Sequence, residues 1–202
     1  MFTGIFEPAF LQAACAHVAP EPPIPPEPDG IVIRTNAQGN INPMITCSGT
    51  ITVKAVYNGE EVTTQYTDID DEAVVINTDA DSDVIITGNL TAMATAPAFS
   101  GKLTSFRALN SVLTELTIGT QNNLTTLCLP KTITSFSNAG VTGLTKIMYP
   151  ANNSSVSTAI KNAITNATAA DGVVNLDPDG AYYNTIANAA TAKGWTIEQL
   201  PA

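Results

Sequence analysis

A short phrase recurs between Leu103 and Pro150: Leu103-Thr-Ser-Phe-Arg-Ala, Leu113-Thr-Glu-Leu-Thr-Ile, Leu124-Thr-Thr-Leu-Cys-Leu, Ile133-Thr-Ser-Phe-Ser-Asn and Leu144-Thr-Lys-Ile-Met-Tyr. Leu103 to Leu124 is 21 positions, and Leu124 to Leu144 and Leu113 to Ile133 are each 20, so two interleaved columns share one period. A fixed period of this size marks a solenoid, because each turn cannot cover its own apolar face and must stack on the next. Apolar residues fill positions 1, 4 and often 6 of the phrase, as in Leu113, Leu116 and Ile118. Positions 4 and 6 alternate with polar neighbours as a half-buried strand does, while position 1 turns the corner into it. The sixth slot weakens to Ala108 and Asn138 in two phrases. Thr stands at position 2 in all five, where its hydroxyl can satisfy the backbone at a bend or stack as a ladder and its β-branching favours extended geometry.

The flanks read differently. Residues 1–18 are mildly apolar, and Ala19-Pro-Glu-Pro-Pro-Ile-Pro-Pro-Glu-Pro28 follows. Proline at that density fixes φ, removes donors and makes a polyproline II spacer of about 3.1 Å per residue. The arm cannot build a core, so it is expected to act as a docking peptide that inserts Phe2, Ile5, Phe6, Phe10 and Leu11 into a partner, with the proline segment as stand-off. From Asp29 the runs Ile31–Arg34, Met44–Cys47, Thr50–Tyr57 and Glu61–Tyr66 are strand-like and rich in β-branched residues. Gln38-Gly39-Asn40 and Asn58-Gly59 separate them, and Asn-Gly between alternating strands is a strong hairpin signal. Ala73–Asn77 and Asp83–Leu90 are read as first rungs of the solenoid, which places its start near Glu72.

After Pro150 the period becomes helical. Asn152-Asn-Ser-Ser supplies capping residues, and Val156, Ile160, Ile164 and Ala167 share one face. Gly172–Leu176 reads as a strand, Asp177-Pro178 as the N-cap and first residue of a second helix with Tyr182, Ile186, Ala189 and Ala190 inward, and Lys193-Gly194 as its end. Trp195–Leu200 is the last strand. The expected fold is mainly β with a C-terminal α/β part: anchor arm and linker (1–28), small antiparallel β domain (29–71), short solenoid (72–150) and an α-β-α-β cap (151–202) that covers the last rung.

Charge excludes several partners. Lys+Arg number 8 against Asp+Glu 18, a net charge of −10, and no basic cluster relieves it. Such a chain repels phosphate backbones and anionic bilayers, so no nucleic acid is expected. No apolar run approaches the ~20 residues of a membrane span. Phe10-Leu-Gln-Ala-Ala-Cys15 has the outline of a lipid-acceptor site, but no Lys or Arg precedes Cys15 and Glu7-Pro8 interrupts the apolar stretch, so processing there is not expected. Cys15, Cys47 and Cys128 make neither a disulfide framework nor a zinc site, and Cys47 and Cys128 are expected to be buried small hydrophobes.

Catalysis finds little footing. The one His, His17, lies in the arm beside Cys15, so neither a Ser-His-Asp nor a Cys-His site is expected. Asp68, Asp70, Asp71 and Glu72 cluster, and Asp79-Ala-Asp81-Ser-Asp83 matches the first three ligand positions of a calcium loop. Its sixth position is Val84 where glycine is needed and its twelfth is Leu90 where glutamate belongs, so a solvated turn is expected there. No enzyme, cofactor or resident metal is expected.

The phrases Leu124 to Pro130 and Leu144 to Pro150 resemble the leucine-rich repeats of the BspA type, Leu-Thr-x-Leu-x-Leu-Pro, over roughly Asp83 to Pro150. The aromatic-glycine phrase that usually follows is absent unless Ala98-Phe99-Ser100-Gly101 is its remnant. The order of arm, proline spacer, small β unit, solenoid and cap is similar to the head fibre or capsid decoration proteins of crAss-like phages of Bacteroidetes. That resemblance implies a structural protein on the virion surface, bound to capsid proteins through its N-terminal arm, assembled as a homotrimer or another symmetric fibre, with its C-terminus outward and an outward adhesion surface open to a host-surface protein or glycan. The alternatives are a BspA-type adhesin on the bacterial surface, binding host or neighbouring-cell proteins, and a glycan-binding module that would stack sugars on Tyr182 or Tyr183.

Overall fold

The computed structural model describes residues 29–95 and 101–201. The chain is mainly β, with several sheets and two helices. Its first strands are β1 (Ile31–Thr35), β2 (Gly39–Ile41), β3 (Met44–Cys47), β4 (Thr50–Tyr57) and β5 (Glu60–Thr67). Tyr57 pairs with Glu60 across the two-residue turn, with Asn58 at φ 53° and Gly59 at φ 79°. Positive φ at both central residues is what a right-twisted two-residue hairpin needs, and Asn-Gly supplies it with least strain.

The strands that follow are β6 (Glu72–Ala73), β7 (Ile76–Thr78) and β8 (Asp83–Thr87). They differ from the rungs expected there. The segment expected as one strand over 73–77 divides into β6 and β7, antiparallel to β3 and β2, and β8 lies antiparallel between β1 and β4. Gly39-Asn40, expected as turn, lies within β2. The hydrophobic alternation was real, but alternation reports which side chains face inward and carries no information about strand direction.

Parallel stacking begins with β9 (Leu90–Ala94) and continues through β10 (Leu103–Arg107), β11 (Glu115–Ile118), β12 (Thr126–Cys128), β13 (Ser135–Asn138) and β14 (Lys146–Tyr149). Successive strands alternate between two sheets. In one, β10, β12 and β14 align Phe106 with Leu127 and Leu127 with Ile147. In the other, β9, β11 and β13 align Met93 with Leu116 and Leu116 with Phe136. The period of about 20 is therefore one circuit through both sheets, which explains the two interleaved columns.

From β14 the second sheet gives way to helices. The helix α1 (Ser154–Asn166) packs beside β13, β15 (Val173–Leu176) returns parallel to β14, α2 (Tyr183–Lys193) packs on α1, and β16 (Thr196–Gln199) closes the larger sheet. Asn153 caps α1, its side chain accepting from the Val156 N–H at 3.1 Å. Gly194, at φ 85°, ends α2 in the left-handed conformation that favours glycine.

The start of α2 is a correction. Asp177 does not cap it. Its carboxylate accepts from the Asp179 N–H at 3.0 Å and its carbonyl from the Gly180 N–H at 3.0 Å, which closes a tight turn, and the helix starts at Tyr183. A β-carbon on Gly180 would overlap the Pro150 carbonyl, so the turn is pressed against the end of β14 and the helix can form only beyond it.

The larger sheet has the order β16-β15-β14-β12-β10-β1-β8-β4-β5 and the smaller β13-β11-β9-β3-β6. One core cluster lies between them and continues under the helices, from Ile31 through Phe106, Leu127 and Ile147 to Ile160, Ile186 and Trp195. The sheet and the core are both continuous across residues 71–72 and 150–151. The first residue of every phrase, from Leu103 to Leu144, is buried in it.

Candidate functional site

The Thr of each phrase forms a ladder along each edge of the stack. The Thr125 hydroxyl donates to the Thr104 carbonyl at 3.1 Å and the Thr145 hydroxyl to the Thr125 carbonyl at 3.3 Å, with Thr104 itself donating to Arg34. On the other edge Thr134 donates to Thr114 and Thr114 to Thr91, each through both its hydroxyl and its N–H. Thr91 extends this edge to a phrase that lies outside the 20-residue period. Leu90-Thr-Ala-Met93 is a sixth phrase, set 23 positions before Leu113, and the departure from a period of 20 hid it.

The outer face of the larger sheet carries the most organised set of side chains. Register places Ile85, Val32, Arg107, Cys128, Met148 and Asn175 in one row across successive strands. Beside it the Asp83 carboxylate joins two guanidiniums, Arg34 at 2.8 Å and Arg107 at 3.5 Å. That hydrogen bond from Arg34 to Asp83 holds the Arg34 guanidinium above its ordinary pKa, so it stays charged. The row borders a groove of about 390 Å³ that Lys146 also lines. Both described cysteines are buried and unpaired with each other: Cys47 in the core and Cys128 in this outer row.

The acidic residues do not converge. Asp79 accepts from the N–H groups of Asn58 at 3.0 Å and Gly59 at 2.9 Å and from Gln38 at 2.8 Å, so it clamps the β4–β5 turn. Asp83 belongs to the arginine pair on the sheet face, and Asp68 accepts from the Gly49 N–H at 2.7 Å. Among the described residues no three His, Cys, Asp or Glu side chains come together as a metal site. A second groove, of about 550 Å³, runs between α1 and α2 past Lys161 and Lys193. Tyr183, one of the two tyrosines considered for sugar stacking, packs partly against the core instead of standing free.

Phe2, Ile5, Phe6, Phe10 and Leu11, and with them Cys15 and His17, lie outside the described residues. No helix among the described residues is long and apolar enough to cross a membrane. No protein-family model, no curated protein and no solved structure matches the chain.

Proposed function

We propose that the chain is a structural virion protein, a head fibre or capsid decoration, fixed to capsid proteins by its N-terminal arm. The observation that supports it best is the construction of the body: a repeat whose every circuit is bonded to the next through backbone and threonine hydroxyl, closed at one end by helices. Such a body transmits position and resists shear, which is the work of a spacer. In this reading β9 to β14 form a short solenoid of the leucine-rich-repeat kind, β1 to β8 a small β unit at its base, and the segment after Pro150 an α-β-α-β cap. Phe2, Ile5, Phe6, Phe10 and Leu11 insert into the capsid, and three copies assemble into a fibre on the virion surface. The role is not enzymatic.

Location tests it. Mass spectrometry of purified virions, set against bacterial outer membranes, is expected to find the chain in virions with its N-terminal peptide intact. A chain that begins at a lipidated Cys15 in outer membranes would overturn this and favour an adhesin. Deleting residues 1–18 is expected to abolish attachment to particles while leaving the melting temperature of the body unchanged, and attachment that persists would end the anchor assignment.

A further inference from the structure

The strand β5 forms one margin of the larger sheet, where among the described residues it pairs with β4 alone. Such an edge is ordinarily kept short, bulged, or guarded by proline or lysine, because its free N–H and C=O groups invite another strand. The other margins follow that rule: β16 has four residues and β6 two, and α1 packs beside β13. By contrast β5 has eight, in unbroken register with β4, and contains no proline, lysine or arginine. Its side toward the core is open as well. Val62 is 43% exposed, and a groove of about 180 Å³ there is lined by Val62, Thr64, Tyr66 and Val75, the last 56% exposed. We infer that this edge is an interface between two copies of the chain, whose β5 strands pair antiparallel about a two-fold axis at Thr64.

Hydrogen-bond parity fixes that axis. The Val56 carbonyl accepts from the Asp79 N–H at 2.7 Å, so Val56 bonds away from β5 and its neighbour Tyr57 bonds toward it. Tyr57 pairs with Glu60, and bonded pairs alternate along an antiparallel ladder, so Glu60, Val62, Thr64 and Tyr66 are the residues bonded to β4. Glu61, Thr63, Gln65 and Thr67 therefore turn their N–H and C=O groups outward. A two-fold axis at Thr64 sets Thr63 against Gln65 and Glu61 against Thr67, which uses every outward residue of both copies. Moving the axis to Thr63 strands Thr67, and moving it to Gln65 strands Glu61. The Thr64 axis also sets Val62 of each copy against Tyr66 of the other in a non-hydrogen-bonded pair, the closer kind, and β-branched against aromatic is a favourable cross-strand match. Charge agrees. Glu60 and Glu61 begin the strand, so antiparallel pairing carries the acids of the two copies to opposite ends. Glu60 meets Asp68, but that carboxylate is turned back onto the Gly49 N–H at 2.7 Å, and Lys54 lies 3.7 Å from Glu61. These matches are properties of β5 with itself, so the occupant is a second copy.

The pairing joins two nine-stranded sheets into one. It does not rest on the capsid assignment, and in a three-fold fibre it links one trimer to the next. The test uses the full chain with Cys15→Ser. Sedimentation at about 1 mM is expected to give the parent twice the mass of Thr64→Lys, which sets two ammonium groups face to face at the axis. Hydrogen exchange is expected to find the Thr63 and Gln65 amides protected in the parent and open in Thr64→Lys, with Val62 protected by β4 in both. Mild oxidation of Thr64→Cys is expected to give a disulfide-linked dimer at least about tenfold faster than Thr63→Cys, because only residue 64 directly faces its own copy, at a separation a disulfide can span. Equal masses for parent and Thr64→Lys overturn the pairing, since the edge would then belong to a different protein or to another segment of the same chain. Equal oxidation of the two cysteine variants overturns it too, because the axis would lie elsewhere. Should Thr64→Lys also lower the melting temperature, the oxidation comparison decides. Absence of the chain from virions leaves these results untouched, and equal masses leave virion location untouched, so the two readings fail separately.

Discussion

At Asp79 the carboxylate meets two N–H groups of the β4–β5 turn and the Gln38 amide, and the turn N–H groups, Gly59 first, hold its carboxyl below the ordinary 3.8. A lowered folded-state pKa means the clamp contributes above the unfolded value and is lost as pH falls through the folded one. Protection of the Asn58 and Gly59 amides, measured against their intrinsic exchange rates at each pH, is therefore expected to fall on acidification, and Asp79→Ala to show that lower protection already at neutral pH. Unchanged exchange in the variant would remove Asp79 from the turn. Tyr149 shows the opposite sign. Burial pushes its hydroxyl above the usual 10, and that hydroxyl accepts from the Asn153 N–H at 3.0 Å beside the start of α1. A raised pKa gives stability that is complete below the unfolded value and lost as pH rises through the folded one. The melting temperature is expected to hold through neutral pH and fall above about 10. Tyr149→Phe should cost about 1–3 kcal/mol, because it orphans the Asn153 N–H. It should also flatten part of the alkaline fall, the remainder belonging to Tyr66, whose pKa burial also raises.

Among elements, magnitudes decide what holds the stack together. Thr125→Val removes one hydroxyl bond, but the Thr104 carbonyl still accepts the residue 125 N–H, so the cost should be about 0.5–1.5 kcal/mol. Leu124→Ala empties a fully buried site in the neighbouring column and should cost about 2–5 kcal/mol. The leucine column thus supplies the stability, and the threonine ladder aligns one circuit on the next. Urea unfolding of the two variants checks this, and a larger loss from Thr125→Val would reverse the assignment. The face of α1 and the Asn58-Gly59 hairpin were legible because each depends on residues within one helical turn or one loop. The start of α2 was not, since Asp177-Pro178 satisfies the signals of a helix cap and of a tight turn alike. The packing of Gly180 against Pro150 chose between them.

Across the molecule, one core runs from β1 to the last strand, and the only tryptophan, Trp195, sits at its far end with 4% exposure. Leu127→Ala, near the middle, is expected to shift the Trp195 fluorescence transition and the far-ultraviolet circular dichroism transition together, by about 2–5 kcal/mol. Separate transitions would show that the parts unfold on their own.

The amino-acid sequence by itself determined the period, the inward columns, the threonine ladder positions, the hairpin and the helical faces. All of these are local, because side-chain size, branching and polarity recur at fixed spacings that geometry converts into faces. Tertiary structure alone decided that β1 slots between β8 and β10, that β6 to β8 run antiparallel instead of opening the stack, and that Cys128 and Met148 share an outer row with Val32. Every peptide unit except proline offers the same donor and acceptor, so the choice of a strand's distant neighbour leaves no mark in the residues of that strand.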